Sequence, residues 1–418
     1  MKSGLVHVVF AGISLYAVAC APLRPSTQPE SYPSPNGAET LSPATPTTAS
    51  PIATALTDMP TLVKKCAGPI SEAEASLSTG TIIYDVIGTY ALSANQTEPV
   101  SLPTDGAIPS VSPYSGELAW LSQQDVIFYS LDGRTTSAEL PDDLKGRARI
   151  RQWLSAHNLI LGAFSLPSEG LGTPAVDDFY VISSQPMEYK HVSLKLEYDF
   201  AEGDLAHAWL STPVYDSSIT RALYAYERGG SAGFKGFLLW DVLRERAIWK
   251  DGPWTSSPVE YVEVDWRRDN QSVVLAGPAQ FSPPSFPHEL YEVSRDGDIR
   301  RLTALSESRT PGEPYYLRIP RWSPDGHKIA FLEIREIAER PHTGDLYVLD
   351  LVRNEIVDYC VDNVDAFEGP LWSPDGAQIA IIQNSNNLEI LDLAHQQIFS
   401  LGKASRLIGW SAVATKPK

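Results

Sequence analysis

From residue 80 onward, short apolar runs recur between clusters of Pro, Gly, Asn, Asp and Ser, a pattern of strands closed by tight turns rather than of helices. Two stretches about fifty residues apart show it best. One runs from Pro320 through Trp322-Ser323-Pro324-Asp325-Gly326 to Ile329-Ala330-Phe331-Leu332, and the other from Pro370 through Trp372-Ser373-Pro374-Asp375-Gly376 to Ile379-Ala380-Ile381-Ile382. In each, Pro presets φ for the turn, Asp can bond its own backbone, and Gly accepts the positive φ that sends the chain back as a second strand. A second hairpin follows, Gly344–Asp350 in the first copy and Asn387–Leu393 in the second, and then a fourth strand, Glu355–Tyr359 and Gln397–Leu401.

Four short antiparallel strands repeating every forty to sixty residues predict the blades of a β-propeller. The Trp-Ser-Pro-Asp-Gly hairpin resembles the hallmark of the TolB-like, WD-like propeller repeat, which implies an inner strand ending in a Trp wedged between blades. Weaker anchors lie upstream at Val264-Asp265-Trp266, Tyr215-Asp216, Trp153 and Val111-Ser112-Pro113, and a last one, Ile408-Gly409-Trp410-Ser411, has no strands after it. Gly80–Val86, Thr89–Ser93 and Val100–Leu102 supply the three strands that this last anchor lacks. The expected fold class is therefore all-β, a propeller of seven four-stranded blades spanning 80–418 and closed by strands from both chain ends, with six blades as the alternative. Closure removes the open edges that the first and last blades would otherwise present.

The first nineteen residues read as an export leader: Lys2, then the mainly apolar run Leu5–Ala19, too short to span a bilayer in comfort. Ala17-Val18-Ala19-Cys20 resembles the lipobox of bacterial lipoproteins, which implies lipidation of Cys20; an ordinary cleaved signal containing a Cys is the alternative. Residues 20–62 read as the lipidated Cys and a disordered tether, and 63–79 as a lead-in to the propeller. Positions 21–60 hold nine Pro, seven Thr and five Ser against four charged residues and one aromatic, so they cannot bury enough surface to offset the entropy of ordering. Fully extended, such a tether reaches roughly 120 Å. Of the three Cys, only Cys66 and Cys360 remain; in an exported chain they either pair or stay buried.

The formal charge of −18 on 418 residues argues against nucleic acid or an anionic lipid surface as partner; Arg147, Arg149 and Arg151 are the densest basic spacing and read as a solvated strand face. No phosphate loop, dinucleotide fingerprint, calcium loop or metal-ligand spacing is visible, so no cofactor and no metal are expected. Gly229-Gly230-Ser231-Ala232-Gly233 matches Gly-x-Ser-x-Gly but joins two strands, where a nucleophile elbow needs a strand and then a helix. The histidines are scattered. Asp142-Asp143 and Asp177-Asp178 read as solvated turns, and Asp325 and Asp375 as servants of their own turns. The chain thus reads as a monomeric propeller, anchored by its amino-terminal lipid outside the cytoplasm in a bacterial envelope, and binding an envelope protein, a peptide or a glycan without catalysis. A propeller enzyme of lyase or glycosidase type, with its site at the central channel, is the alternative. Resemblance to TolB implies a protein partner, although here the tether leads almost directly into the blades.

Overall fold

The hairpin chemistry read from the sequence is realised atom for atom. Gly326 and Gly376 sit at φ +70° and +69°, where a Cβ would be strained. In the first copy the Ser323 hydroxyl donates to Asp325 Oδ1 at 2.5 Å and accepts from the Lys328 amide at 2.9 Å, while the His327 amide donates to Asp325 Oδ1 at 3.0 Å. The second copy repeats these bonds at Ser373, Asp375, Ala377 and Gln378, at 2.6, 2.8 and 3.1 Å. In the weaker anchor Asn270 takes the place of Gly, at φ +61°, because its short polar side chain tolerates the left-handed region.

The computed structural model describes residues 59–70, 76–94, 96, 98–163, 175–196, 208–210, 213–228, 234–250, 254–255, 264–278, 287–309, 315–335 and 343–412. The leader, Cys20, most of the tether, Gly229–Gly233, His207 and His342 lie outside them. Among the described residues the strands pair into six sheets, arranged as a β-propeller. Three are consecutive four-stranded antiparallel meanders, at 110–139, 148–196 and 264–301. A fourth is the closing sheet, in which Arg406–Ser411 pairs with Thr81–Asp85, bringing Trp410 opposite Ile82, and Thr89–Ser93 and Val100–Ser101 follow. The 208–255 sheet has six strands, and an eleven-stranded sheet covers 316–403 together with two strands from the lead-in. The one helix among the described residues is the single turn Leu305–Ser308; no helix there is long and apolar enough to cross a membrane.

The core sits between sheets. Trp153, Leu159 and Ile182 of one meander pack with Ala119, Val126 and Phe128 of the preceding one, and Ile82, Tyr84 and Trp410 pack with Ile382, Ile390 and Phe399. Each anchor Trp wedges toward a neighbour, as the repeat implies. Trp372 Nε1 donates to Arg321 O at 3.0 Å, Trp266 Nε1 to Val214 O at 3.1 Å, and Trp153 Nε1 to Ser110 Oγ at 3.0 Å. Trp322 differs: its buried Nε1 has no partner among the described residues, and the Arg267 guanidinium lies 5.6 Å over its ring.

The lead-in forms a strap. Thr61–Lys64 adds in parallel to the outer strand Glu355–Asp358, and Gly68–Pro69 adds in parallel to Gln397–Lys403. Leu62, Ala67 and Ile70 pack on three successive core clusters, and Lys65 Nζ meets Glu355 at 3.0 Å. Between the two added strands Cys66 and Cys360 are disulfide-bonded, Cα to Cα 4.8 Å. The strand Thr61–Lys64 straddles the junction expected at 62/63.

Two charge readings are corrected. Arg151 is not on a solvated face: it forks onto Asp177 at 2.7 and 2.9 Å beneath the Tyr215 hydroxyl, which also donates to Asp177. Asp177 and Asp178 are strand residues, not turn residues, because the strand Ala175–Ser184 runs for ten residues. Asp142 does lie in an exposed turn, paired with Lys145 at 2.8 Å.

Several carboxylates are bound tightly enough to matter for acid stability. Burial pushes the Asp241 carboxyl up, but the Arg244 amide and the charges of Arg221 and Arg244 outweigh it and hold it below the usual range. Asp325 is held low in the same way by Ser323, the His327 amide and Lys328. Such a group stabilises the fold above its unfolded value of about 3.9 and loses that contribution as pH falls through its lower folded value. The urea midpoint should therefore drop as pH falls below about 4, and Asp241→Asn should flatten that drop; an unaltered profile in the variant would exclude Asp241 as a source.

Candidate functional site

In an antiparallel meander the first-to-second and third-to-fourth turns share one end of the sheet, and the inner strands of this chain converge there. The result is a cavity of about 240 Å³ at the centre of the ring. Its wall takes Tyr114 from the 110–139 sheet, Asp265, Trp266 and Arg268 from the 264–301 sheet, Arg321, Trp322, Leu371 and Trp372 from the eleven-stranded sheet, and Gly409 and Trp410 from the closing sheet. Gly409 is required there, since a Cβ would stand 2.5 Å from Val111 Cβ.

Arg268 spans the cavity: its Nη2 donates to Pro113 O, three sheets back along the chain, at 3.0 Å. Asp265 Oδ2 accepts the Trp322 amide at 2.8 Å, and Arg321 Nη1 reaches Val264 O at 3.5 Å. Asp265 is half-buried in the cavity wall, which strips much of the water from its carboxyl. That desolvation raises its carboxyl above the usual range, and Arg321, the Trp322 amide and Arg268 oppose the rise without cancelling it. Tyr114, 38% exposed at the mouth, is also raised by desolvation, against Arg268 and with Asp265, so its hydroxyl stays a donor at neutral pH.

A carboxyl whose folded value lies above its unfolded one costs stability as pH rises past the unfolded value. Asp265→Asn should therefore raise the melting temperature at pH 7, with no gain below about pH 3.5, where the native carboxyl is already protonated. Equal melting curves at pH 7 would show that Asp265 carries no such penalty. A desolvated carboxyl beside two guanidiniums in a cavity wall is the pattern that makes Asp265 a candidate site residue.

Of the two Trp-Ser-Pro-Asp-Gly turns, Trp322, Pro324 and Trp372 reach this cavity, and so do Trp266, Gly409 and Trp410 of the weaker anchors. Ser323, Asp325, Gly326, Ser373, Asp375 and Gly376 close their turns, Pro374 belongs to the second of those turns, and Cys66–Cys360 belongs to the strap. The histidines stay scattered: His288 is buried at a strand start, its imidazole pushed down to about 4 by desolvation, and His395 Nδ1 lies 3.0 Å from Asp392 at the surface. Among the described residues no group of three or more His, Cys, Asp or Glu is placed to hold a metal ion. Asp265, Arg268, Arg321 and Tyr114 went unnoticed as a group. The available signal was alternation: in Asp265-Trp266 and Arg321-Trp322 the residue before each wedging Trp must face the opposite way.

No family model and no curated protein matches the chain. Among solved structures, an oligogalacturonate lyase in complex with manganese is similar over 79% of this chain and 85% of that one, at 10% identity and a TM-score of 0.46. TolB from Acinetobacter baumannii is similar over 71% of this chain and 67% of its own, at 13% identity and a TM-score of 0.32. An oligogalacturonate lyase from Vibrio parahaemolyticus matches over 79% and 85%, at 12% identity and a TM-score of 0.44. The chain is, in fold, an all-β propeller.

Proposed function

We propose that this chain is a lipid-anchored, extracytoplasmic binding module that docks an envelope protein, peptide or glycan in the central cavity, without catalysis. The observation that carries this reading is the cavity wall: one carboxyl, two guanidiniums and a phenol among tryptophan faces. Aromatic and Arg side chains around a few fixed polar groups are the composition of a recognition site. Glycoside cleavage calls for a pair of carboxyls about 5–10 Å apart, and Asp265 is the one carboxyl in this wall among the described residues. Two guanidiniums to one carboxyl also make the mouth locally cationic within a chain of net charge −18, which favours an acidic group on the partner.

The ring is proposed to have seven blades, the eleven-stranded sheet counting as two. Seven buried apolar clusters among the described residues support this count, each shared by two successive four-strand sets. The leader and Cys20 are proposed to place the molecule at the membrane, with 20–62 as its tether and the chain monomeric.

The test is a photo-crosslinking side chain at Tyr114 in the native cell. Recurrent capture of one envelope component, lost on Arg268→Ala, supports the reading; turnover of a polysaccharide that survives Arg268→Ala with nothing captured reverses it. Incorporation of labelled fatty acid that Cys20→Ser abolishes tests the anchor separately.

A further inference from the structure

We propose that the seam between the 110–139 and 148–196 sheets is a second binding site, for an organic cation: the ammonium or guanidinium of a lysine, an arginine or a free polyamine. A cavity of about 290 Å³ opens there between the turns of the two sheets. Glu117, Asp132 and Arg134 come from one side and His157 and Gln185 from the other, and no lining residue is shared with the central cavity.

Glu117 is the core of the site. Its side chain is 6% exposed, yet it lines the cavity. Oε2 accepts from the Ser184 hydroxyl at 2.6 Å and lies 3.5 Å from His157 Nδ1. Both neighbours thus address the same oxygen, and Oε1 has no partner among the described residues. Arg134, the guanidinium lining this cavity, is already engaged by Asp132 at 2.8 Å and stands 72% exposed. Oε1 is thus left to the water of the cavity, and at so largely buried a carboxylate a cationic donor makes a stronger, shorter bond than a neutral one.

The site is also built in advance. The Ser184 amide donates to His157 O at 2.9 Å within the 148–196 sheet, and Ser115 Oγ donates across the seam to Ala156 O at 2.6 Å, so the walls are held in register. The same geometry excludes a nucleophilic reading. Ser184 gives its proton to Glu117 rather than to the imidazole, whose Nδ1 is 3.4 Å away, and it does not line the cavity.

The experiment titrates the full chain with three probes by calorimetry: the blocked tripeptide acetyl-Gly-Arg-Gly-amide, its citrulline counterpart, and spermidine. The arginine peptide or spermidine should bind saturably, with citrulline at least about tenfold weaker, and Glu117→Gln should lose at least about tenfold while Asp142→Asn, at an exposed turn outside both cavities, loses nothing. Stronger binding of the peptide assigns a side chain of a protein partner; stronger binding of spermidine assigns a free polyamine. Should Glu117→Gln fail to fold, Gln185→Lys, at an exposed turn position, places a competing ammonium at the carboxylate and should abolish binding without lowering the melting temperature. No saturable binding of either cation, equal binding of citrulline, or full binding by both variants overturns the proposal.

Discussion

Glu289→Ala is expected to lower the free energy of unfolding by about 3–5 kcal/mol, the cost of stranding buried partners of a removed charge. The Glu289 side chain is fully buried. It accepts the Leu305 and Ser306 amides at 3.1 and 2.8 Å, Arg301 Nη2 at 3.1 Å and the Tyr315 hydroxyl at 3.4 Å, and it takes the Thr303 hydroxyl as well. One carboxylate thus satisfies the orphan amides that open the Leu305–Ser308 turn and ties the 264–301 sheet to the start of the next. Its removal strands two backbone donors and a guanidinium that is 22% exposed. Urea unfolding measures the loss. The double variant Glu289→Ala, Arg301→Ala should recover part of it, because the unpaired cation goes too. A single-variant loss below about 1 kcal/mol would place the network at the level of a surface pair.

The second large effect concerns the strap. Cys66 and Cys360 are 294 residues apart in sequence, and closing a loop of that size in the unfolded chain removes much of its entropy. Replacing both with Ser should cost about 2–5 kcal/mol. The loss also has an address. Few backbone bonds hold the strap, among them Lys65 N to Asp358 O at 2.8 Å and Ala67 N to Tyr359 O at 2.9 Å, so without the cross-link it should open before the ring does. Hydrogen exchange at Lys65, Ala67, Gly68 and Ile70 should accelerate in the double Ser variant while Ile381 and Leu391 stay protected. Unchanged protection of the strap would mean that strand pairing alone secures it.

What was legible in the sequence was what is decided within a dozen residues, together with one long-range pairing that the strand count of a blade demands. The Trp-Ser-Pro-Asp-Gly hairpins could be read because Pro, Asp and Gly act on their own backbone, and Trp410 could be matched to 81–86 because a strand set short of three strands needs them. The strap strand Thr61–Lys64 was not legible, since its partner lies 294 residues on and four residues carry no pattern of their own. Spacing left the state of Cys66 and Cys360 open for the same reason. Arg151 and Asp177 misled because a charged residue reads as solvated unless its counter-charge, 26 residues away, is known to face it.

By itself, then, the chain determined its strands, its turns and its repeat, because each rests on backbone preferences and side-chain alternation that act locally, and the way its two ends meet, because each end carries only part of a four-stranded set. Only the tertiary structure decided which carboxylates are buried, which guanidinium crosses the ring to Pro113, and which turns enclose Glu117. Those outcomes depend on distances between residues remote in the chain and on the water that packing excludes, and neither quantity exists until the sheets have closed.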